Sequence, residues 1–275
     1  MSDSTHQCGG CGGCGSKTQQ EPQAEPRLSA HPLSQIKTVI GITGGKGGTG
    51  KTLVTGILAA SLTERGLRVG ILDADILSPA VPQLFDLPQG VTRGDSGLYP
   101  ALSGRGVKVM SARLLLEDET QSITWHSATV AGILQQLWSK VIWDQLDCLF
   151  IDLPPGTGDV SLVTLERLPL DGLVLISSPQ VLVNQAVERT VLLALEKDVP
   201  ILGCVENFSG LFSGDAAETL AARYGFPLTD RLGFDPILTD AVDEGRIEAL
   251  GTAYLPGITA LIEALIERVL KHPIS

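Results

Sequence analysis

The sequence predicts an α/β fold, a mostly parallel central sheet with helices on both faces, and three observations predict it. Short apolar, β-branched runs alternate with helical patterns along residues 36–275, as repeated strand-helix units do. Several of these runs are apolar throughout, the pattern of strands covered on both faces. A glycine-rich turn joins the first run to the first helical pattern, at the carboxyl end of a strand, where open α/β sheets bind ligands.

Taken in order, residues 1–35 are rich in Gly, Ser, Gln and Pro, have no apolar periodicity and read as a flexible tail. One domain is expected over 36–275, with strands at 37–43, 68–73, 107–111, 147–152, 172–177 and 201–206. The first helix is expected over 52–65, because the glycine turn opens it and Gly66 follows as a residue able to take positive φ. The last helix carries Ile258, Leu261, Ile262, Leu265, Ile266, Val269 and Leu270 on one stripe, with Glu263, Glu267 and Lys271 opposite. That is a core-docking face, without the basic polar side of a helix that lies on membranes.

Composition limits the partners. With 43% hydrophobic residues the chain is too apolar for wholesale disorder, yet no run of 18 or more apolar residues offers a membrane span. Twenty Lys and Arg against 31 Asp and Glu give a net charge of −11, so nucleic acid is not expected as the main partner. The N-terminus lacks the apolar core of a signal peptide, and five cysteines, three of them within seven residues, do not make a secreted disulfide framework, so a cytoplasmic location is expected.

The segment Gly45-Lys46-Gly47-Gly48-Thr49-Gly50-Lys51-Thr52 satisfies G-x-x-x-x-G-K-[ST] between an expected strand and an expected helix, the context a phosphate-binding loop requires. Its glycines let the backbone wrap phosphates with N–H groups, and the helix N-terminus adds about half a positive charge on the same side. In that arrangement Lys51 reaches the β- and γ-phosphates and Thr52 ligates Mg²⁺. The expected fold is therefore that of a P-loop NTPase, and the expected cofactors are ATP and Mg²⁺. A purely structural glycine turn is the alternative.

Holding the metal and the attacking water needs carboxylates at the carboxyl ends of neighbouring strands. Asp73 and Asp75 close one strand in Asp-Ala-Asp-Ile-Leu-Ser-Pro, and Asp152 closes another in Leu-Phe-Ile-Asp-Leu-Pro-Pro. Asp152 is the Walker B candidate and second Mg²⁺ ligand, Asp75 the candidate for positioning water, and Asp73 a further candidate at the nucleotide. Helix capping is the alternative for such carboxylates. The stiff, then flexible, run Pro154-Pro155-Gly156-Thr157-Gly158-Asp159 reads as a γ-phosphate switch loop or a rigid surface turn.

Lys46, directly after the first glycine, has no role in an ordinary P-loop. With it, residues 44–52 resemble the deviant Walker A of the family that includes MinD, ParA, nitrogenase iron protein and the Mrp/ApbC proteins. The resemblance implies a nucleotide-dependent homodimer in which Lys46 reaches the phosphates bound by the partner, as an arginine finger would. It narrows to the Mrp/ApbC iron-sulfur cluster carrier and scaffold ATPases on Asp73-Ala-Asp-Ile, Ile151-Asp-Leu-Pro-Pro-Gly-Thr-Gly-Asp, Ser178-Pro-Gln, Pro200-Ile-Leu-Gly-Cys-Val-Glu-Asn-Phe-Ser and residues 240–245. What it implies is a slow, partner-stimulated, Mg²⁺-dependent ATPase serving client apoproteins or iron-sulfur assembly proteins. It also implies an adenine contact for Asn207, for which a loop-turn role is the alternative.

The chain departs from that family in two places. Where the family has a Cys-Pro-x-Cys pair that bridges a [4Fe-4S] cluster across the dimer, Ser209 is followed here by Gly-Leu-Phe-Ser-Gly-Asp. Where the family has Trp-Arg-Gly-Pro, the chain reads Trp125-His126-Ser127-Ala128. The tail offers other ligands. Cys8, Cys11 and Cys14 repeat the first three spacings of a bacterial ferredoxin run, and on a glycine chain such thiolates converge on one iron-sulfur cube or one zinc. An idle tail is the alternative, and the fourth ligand is unassigned.

Two readings follow. One is an ATP-hydrolysing, dimeric iron-sulfur cluster carrier or scaffold with the Cys8, Cys11, Cys14 tail as cluster site. The other is a MinD- or ParA-like switch that dimerises on ATP, recruits a partner and carries no cluster. A metabolic kinase or ligase would need an acceptor pocket that no sequence feature names.

Overall fold

A computed structural model describes residues 27–115 and 130–271. The first half contains β1 (Gln35–Ile36), β2 (Val39–Gly44), α1 (Lys51–Glu64), β3 (Val69–Asp73), α2 (Val81–Leu84), the hairpin β4 (Thr92–Gly94) and β5 (Gly97–Tyr99), β6 (Ala101–Leu102) and β7 (Lys108–Ser111). The second half contains α3 (Val130–Lys140), β8 (Gln145–Leu146), β9 (Cys148–Asp152), α4 (Asp159–Arg167), β10 (Gly172–Ser177), α5 (Val181–Glu196), β11 (Ile201–Ser209), α6 (Ala216–Tyr224), β12 (Leu228–Gly233), α7 (Pro236–Asp243) and α8 (Pro256–Lys271).

The main sheet has eight strands in the order β12-β11-β10-β2-β9-β3-β7-β6, parallel except for the edge pair β6 and β7. Its central strands are buried on both faces, which explains their continuous apolar runs. Along β9, Cys148 and Phe150 join the core under α1 and α8, while Leu149 and Ile151 join the opposite core under α3 and α4. On β10, Val174 and Ile176 face the first of these cores, and Leu175 faces a third cluster with α5 and α6. This period-2 division puts helices on both faces, as expected.

Helix α1 is buried nearly all round. Val54, Ile57, Leu58, Ala59 and Leu62 are fully buried between the sheet and the 3₁₀ turn Ile247–Ala253. Burying side chains such as Ile57 and Leu58 contributes about 1.5–3 kcal/mol each. The phosphate-loop end of α1 is thereby anchored to the rigid centre of the domain. The expected strand positions hold to within two or three residues, but β12 was not anticipated. Its sequence, LTDRLG, has no apolar run because it is an edge strand with only Leu232 buried.

Two further expectations change. Residues 28–34, counted with the tail, are tied to the domain. Leu28 N donates to the Arg167 carbonyl at 2.7 Å, Trp138 Nε1 donates to the Leu28 carbonyl at 3.1 Å, and Trp143 N donates to Ser34 Oγ at 2.9 Å. Isolated apolar residues such as Leu28 carry no periodicity, so this docking was not legible in the sequence. On α8, Ile258, Ile262 and Ile266 are buried, but Leu261 is 40% exposed at the margin of the stripe. Among the described residues no helix is long and apolar enough to cross a membrane.

Candidate nucleotide site

Strand β2 delivers the loop 45–50 to the carboxyl edge of the sheet, and α1 begins at Lys51. Gly48 and Gly50 hold φ of 75° and 90°, the left-handed region that glycine occupies without strain. At Gly45 space decides instead: a Cβ there would lie 2.3 Å from the backbone nitrogen of Val187 on α5. Helix α1 opens at Gly50 with no side-chain cap, so its N-terminal N–H groups are left for an anion.

The two lysines of the loop differ. Lys51 is 7% exposed, and burial lowers the pKa of its ammonium against the opposing pull of Asp152 and Asp75. Lys46 is exposed, and among the described residues its ammonium makes no ion pair or hydrogen bond. It borders a cleft of about 620 Å³ whose floor is Gly47, Gly48 and Thr49 and whose wall includes Phe208 and Phe212. Around this cleft Val181, Leu182 and Leu211 are 63%, 66% and 56% exposed. The two phenylalanine rings meet edge-on, with centroids 6.4 Å apart. This apolar knuckle stands where the sequence departs from the Cys-Pro-x-Cys pattern.

Asp152, at the end of β9, is 1% exposed and accepts two threonine hydroxyls. Thr52 Oγ1 donates to Oδ2 at 2.7 Å, and Thr55 Oγ1 donates to Oδ1 at 3.0 Å. Burial pushes the carboxyl up to about 6, with the two hydroxyls and Lys51 opposing the shift. A threonine hydroxyl beside a carboxylate is a hard oxygen donor set, which fits Mg²⁺ that completes its shell with phosphate and water. Thr55 was not foreseen. Its signal was a hydroxyl one turn beyond Lys51 on the buried part of α1.

Asp73 lies opposite Asp152 in the register of β3 and β9. It is fully buried, and its oxygens are occupied within the chain. Oδ2 accepts from Ser111 Oγ at 2.9 Å and Val81 N at 3.3 Å, and Oδ1 accepts from Asp75 N at 3.2 Å. Burial first, and the nearby Asp152 second, push its carboxyl well above the usual range. Asp73 therefore organises the turn 74–80 and presents Asp75, with both oxygens engaged by the chain itself. Asp75 is half-buried and accepts from Ser78 N at 3.2 Å.

Asn207, at the end of β11, reaches the loop from the other side. Its Nδ2 donates to the Thr49 carbonyl at 3.0 Å, and its Oδ1 accepts from Phe208 N at 2.9 Å. A Cβ on Gly50 would lie 2.3 Å from Nδ2, so Asn207 and Gly50 need each other's shape. In the switch segment, Gly156 N donates to the Gly44 carbonyl at 3.1 Å, joining it to the start of the P-loop. Lys51, Thr52, Asp75 and Asp152 thus come together on one side, and Lys46 and Asn207 flank the loop on the other.

Cys8, Cys11 and Cys14, and the Trp125-His126 stretch, lie outside the described residues. Cys148 and Cys204 are buried free thiols held in the protonated form, Cys148 well above its usual range and Cys204 at about 12, chiefly through burial. Among the described residues no group of three or more His, Cys, Asp or Glu side chains is arranged to hold a metal.

Comparison with known proteins gives the family and the fold. Residues 35–263 match the ParA family described as NUBPL iron-transfer P-loop NTPase. An iron-sulfur cluster carrier protein of Clostridium perfringens is 37% identical over 231 residues, which cover 78% of this chain and 81% of the relative. The cytosolic Fe-S cluster assembly factor nubp2 of Danio rerio is 34% identical over 232 residues, 78% of this chain and 87% of that protein. A nucleotide-binding protein from Archaeoglobus fulgidus, solved in complex with ADP, superposes with a TM-score of 0.68 at 37% identity, covering 81% of this chain and 90% of that one. The cell-division ATPase MinD of Pyrococcus furiosus, at 20% identity and a TM-score of 0.62, shares the fold, with 84% and 99% of the two chains covered.

Proposed function

The chain belongs to the ParA family of NUBPL iron-transfer P-loop NTPases, and from that premise we propose that it is a Mg²⁺-dependent ATPase that carries or assembles iron-sulfur clusters. The observation that carries the ATPase half is the convergence of Lys51, Thr52 and Asp152 at the open N-terminus of α1. In this reading the backbone N–H groups of 45–52 bind the phosphates, and Lys51 neutralises the β- and γ-oxygens. Asp152 takes the Thr52 proton in a hydrogen bond, which turns the lone pairs of that hydroxyl outward for the metal. When bound, Mg²⁺ supplies charge neutralisation on the β- and γ-phosphates. Asp75, presented by the Asp73-braced turn, orients water for in-line attack. Asn207 contacts adenine, with Nδ2 leaving the Thr49 carbonyl or using its second hydrogen.

The exposed Lys46 acts across a homodimer on nucleotide held by the other copy. The Cys8, Cys11, Cys14 tail is the cluster site, [4Fe-4S] being the cluster type, and client apoproteins or assembly factors receive the cluster, in the cytoplasm. The support is the family, the relatives' names and the ligand spacing of the tail. One observation favours the second reading, a nucleotide switch without a cluster: the segment after Ser209 carries exposed Leu211 and Phe212 and no cysteine.

Iron and acid-labile sulfide per chain, measured after anaerobic purification of wild type and a Cys8, Cys11, Cys14→Ser variant, separate the two. Stoichiometric iron and sulfide that vanish in the variant support the carrier. Wild-type protein that takes up none, even on reconstitution, leaves the switch.

A further inference from the structure

We propose that Thr55 is a positioning residue for the metal site, holding Asp152 in the rotamer that serves Thr52 and Mg²⁺; this rests on the reading of Thr52 and Asp152 as the metal's protein ligands. The Thr55 hydroxyl lies 3.0 Å from Asp152 Oδ1 and 3.0 Å from the carbonyl of Lys51, and the side chain is fully buried. One proton faces two acceptors. In a helix the Lys51 carbonyl also receives the amide of the residue four positions on, so it does not depend on the hydroxyl.

Asp152 Oδ1 has no such second source. The carboxylate is 1% exposed, its other oxygen is taken by Thr52, and no other donor to Oδ1 is present among the described residues. A buried carboxylate oxygen without a donor is costly, and the charge-assisted bond that removes that cost also fixes the orientation of the group. Rotating Asp152 to find another donor for Oδ1 would withdraw Oδ2 from Thr52. The Thr55 hydroxyl therefore couples the first turn of α1, which carries Lys51 and Thr52, to the end of β9.

Thr164 on α4 is the internal control. It is equally buried and donates to the carbonyl four residues back at 2.7 Å, but reaches no carboxylate. Losing that hydroxyl affects only its helix.

The test is the Mg²⁺ concentration that half-saturates binding of a fluorescent ATP analogue to the full chain, in wild type, Thr55→Val, Thr55→Ser and Thr164→Val. Valine keeps the β-branched shape and serine keeps the hydroxyl. Thr55→Val is expected to raise the half-saturating Mg²⁺ about tenfold, and Thr55→Ser and Thr164→Val to stay within about twofold of wild type. Affinity for the analogue in EDTA should be the same in all four. A wild-type Mg²⁺ response matched by Thr55→Val overturns the inference alone. Wild-type protein that binds the analogue with no response to Mg²⁺ overturns the proposed metal site and the inference with it. If Thr55→Val does not fold, Thr55→Ala against Thr55→Ser makes the same comparison, and equal Mg²⁺ responses in those two overturn it.

Discussion

The two halves of the phosphate loop present opposite surfaces. The half that runs into α1 is buried and internally completed, with Lys51 7% exposed and Thr52 and Thr55 both bound to Asp152. The half that leaves β2 is open. Lys46 has no acceptor among the described residues, and the cleft it borders is walled by Phe208, Phe212 and exposed Val181 and Leu182. The difference teaches where the chain suffices by itself. The residues proposed for phosphate and metal lie together within one chain, whereas Lys46 and the apolar wall beside it face outward.

The sharpest way to break this comparison is to remove each lysine in turn. Lys46→Ala should lower kcat for ATP by about 10³ while leaving the nucleotide Kd within about twofold, the pattern of a group that acts in the transition state from outside the binding site. Equal kcat in mutant and wild type would make the exposed half idle. Lys51→Ala should weaken ATP binding itself, by about 100-fold in equilibrium titration, because a buried charge-assisted contact to phosphate is lost.

A smaller effect tests the wall between the halves. Gly45→Ala places a methyl against the α5 backbone at Val187, and overpacking of this kind costs about 1–3 kcal/mol. Chemical denaturation should register that loss, with nucleotide affinity falling alongside it because the loop is displaced. An unchanged midpoint would mean α5 gives way and does not brace the loop.

The smallest effect is the pH response of the buried half. Asp152 titrates near 6 in the folded chain, above the roughly 3.9 of an unfolded aspartate, so the folded state binds more protons between those values. The sign follows: this group makes nucleotide-free protein more stable as pH falls from about 6 to about 4. Thermal melts of wild type in EDTA should rise over that window relative to Asp152→Asn, whose melting curve lacks this component. A wild type that loses stability relative to the variant over that range would contradict the assignment.

How much of this was legible in the sequence differs between the same two halves. The motif residues 45–52, the strand ends at Asp73 and Asp152 and the parallel sheet could be read because each rests on a local rule of spacing or periodicity. Thr55 and the buried role of Asp73 could not, because they depend on register between β3 and β9 and on which face of α1 meets the sheet. The apolar knuckle at 208–212 was visible only as missing cysteines. Its exposure is a fact of tertiary structure: Phe208 sits at φ 61° in an irregularity of β11, where the register with β12 shifts between Asn207 and Ser209.

Mixing two inactive variants tests most directly whether the open half is completed by a second copy. Lys46→Ala retains the buried lysine, and Lys51→Ala retains the exposed one. If Lys46 acts in trans, the mixture should hydrolyse ATP well above the sum of the separate proteins, with turnover rising with protein concentration. A mixture that only sums its two components at every concentration would contradict it.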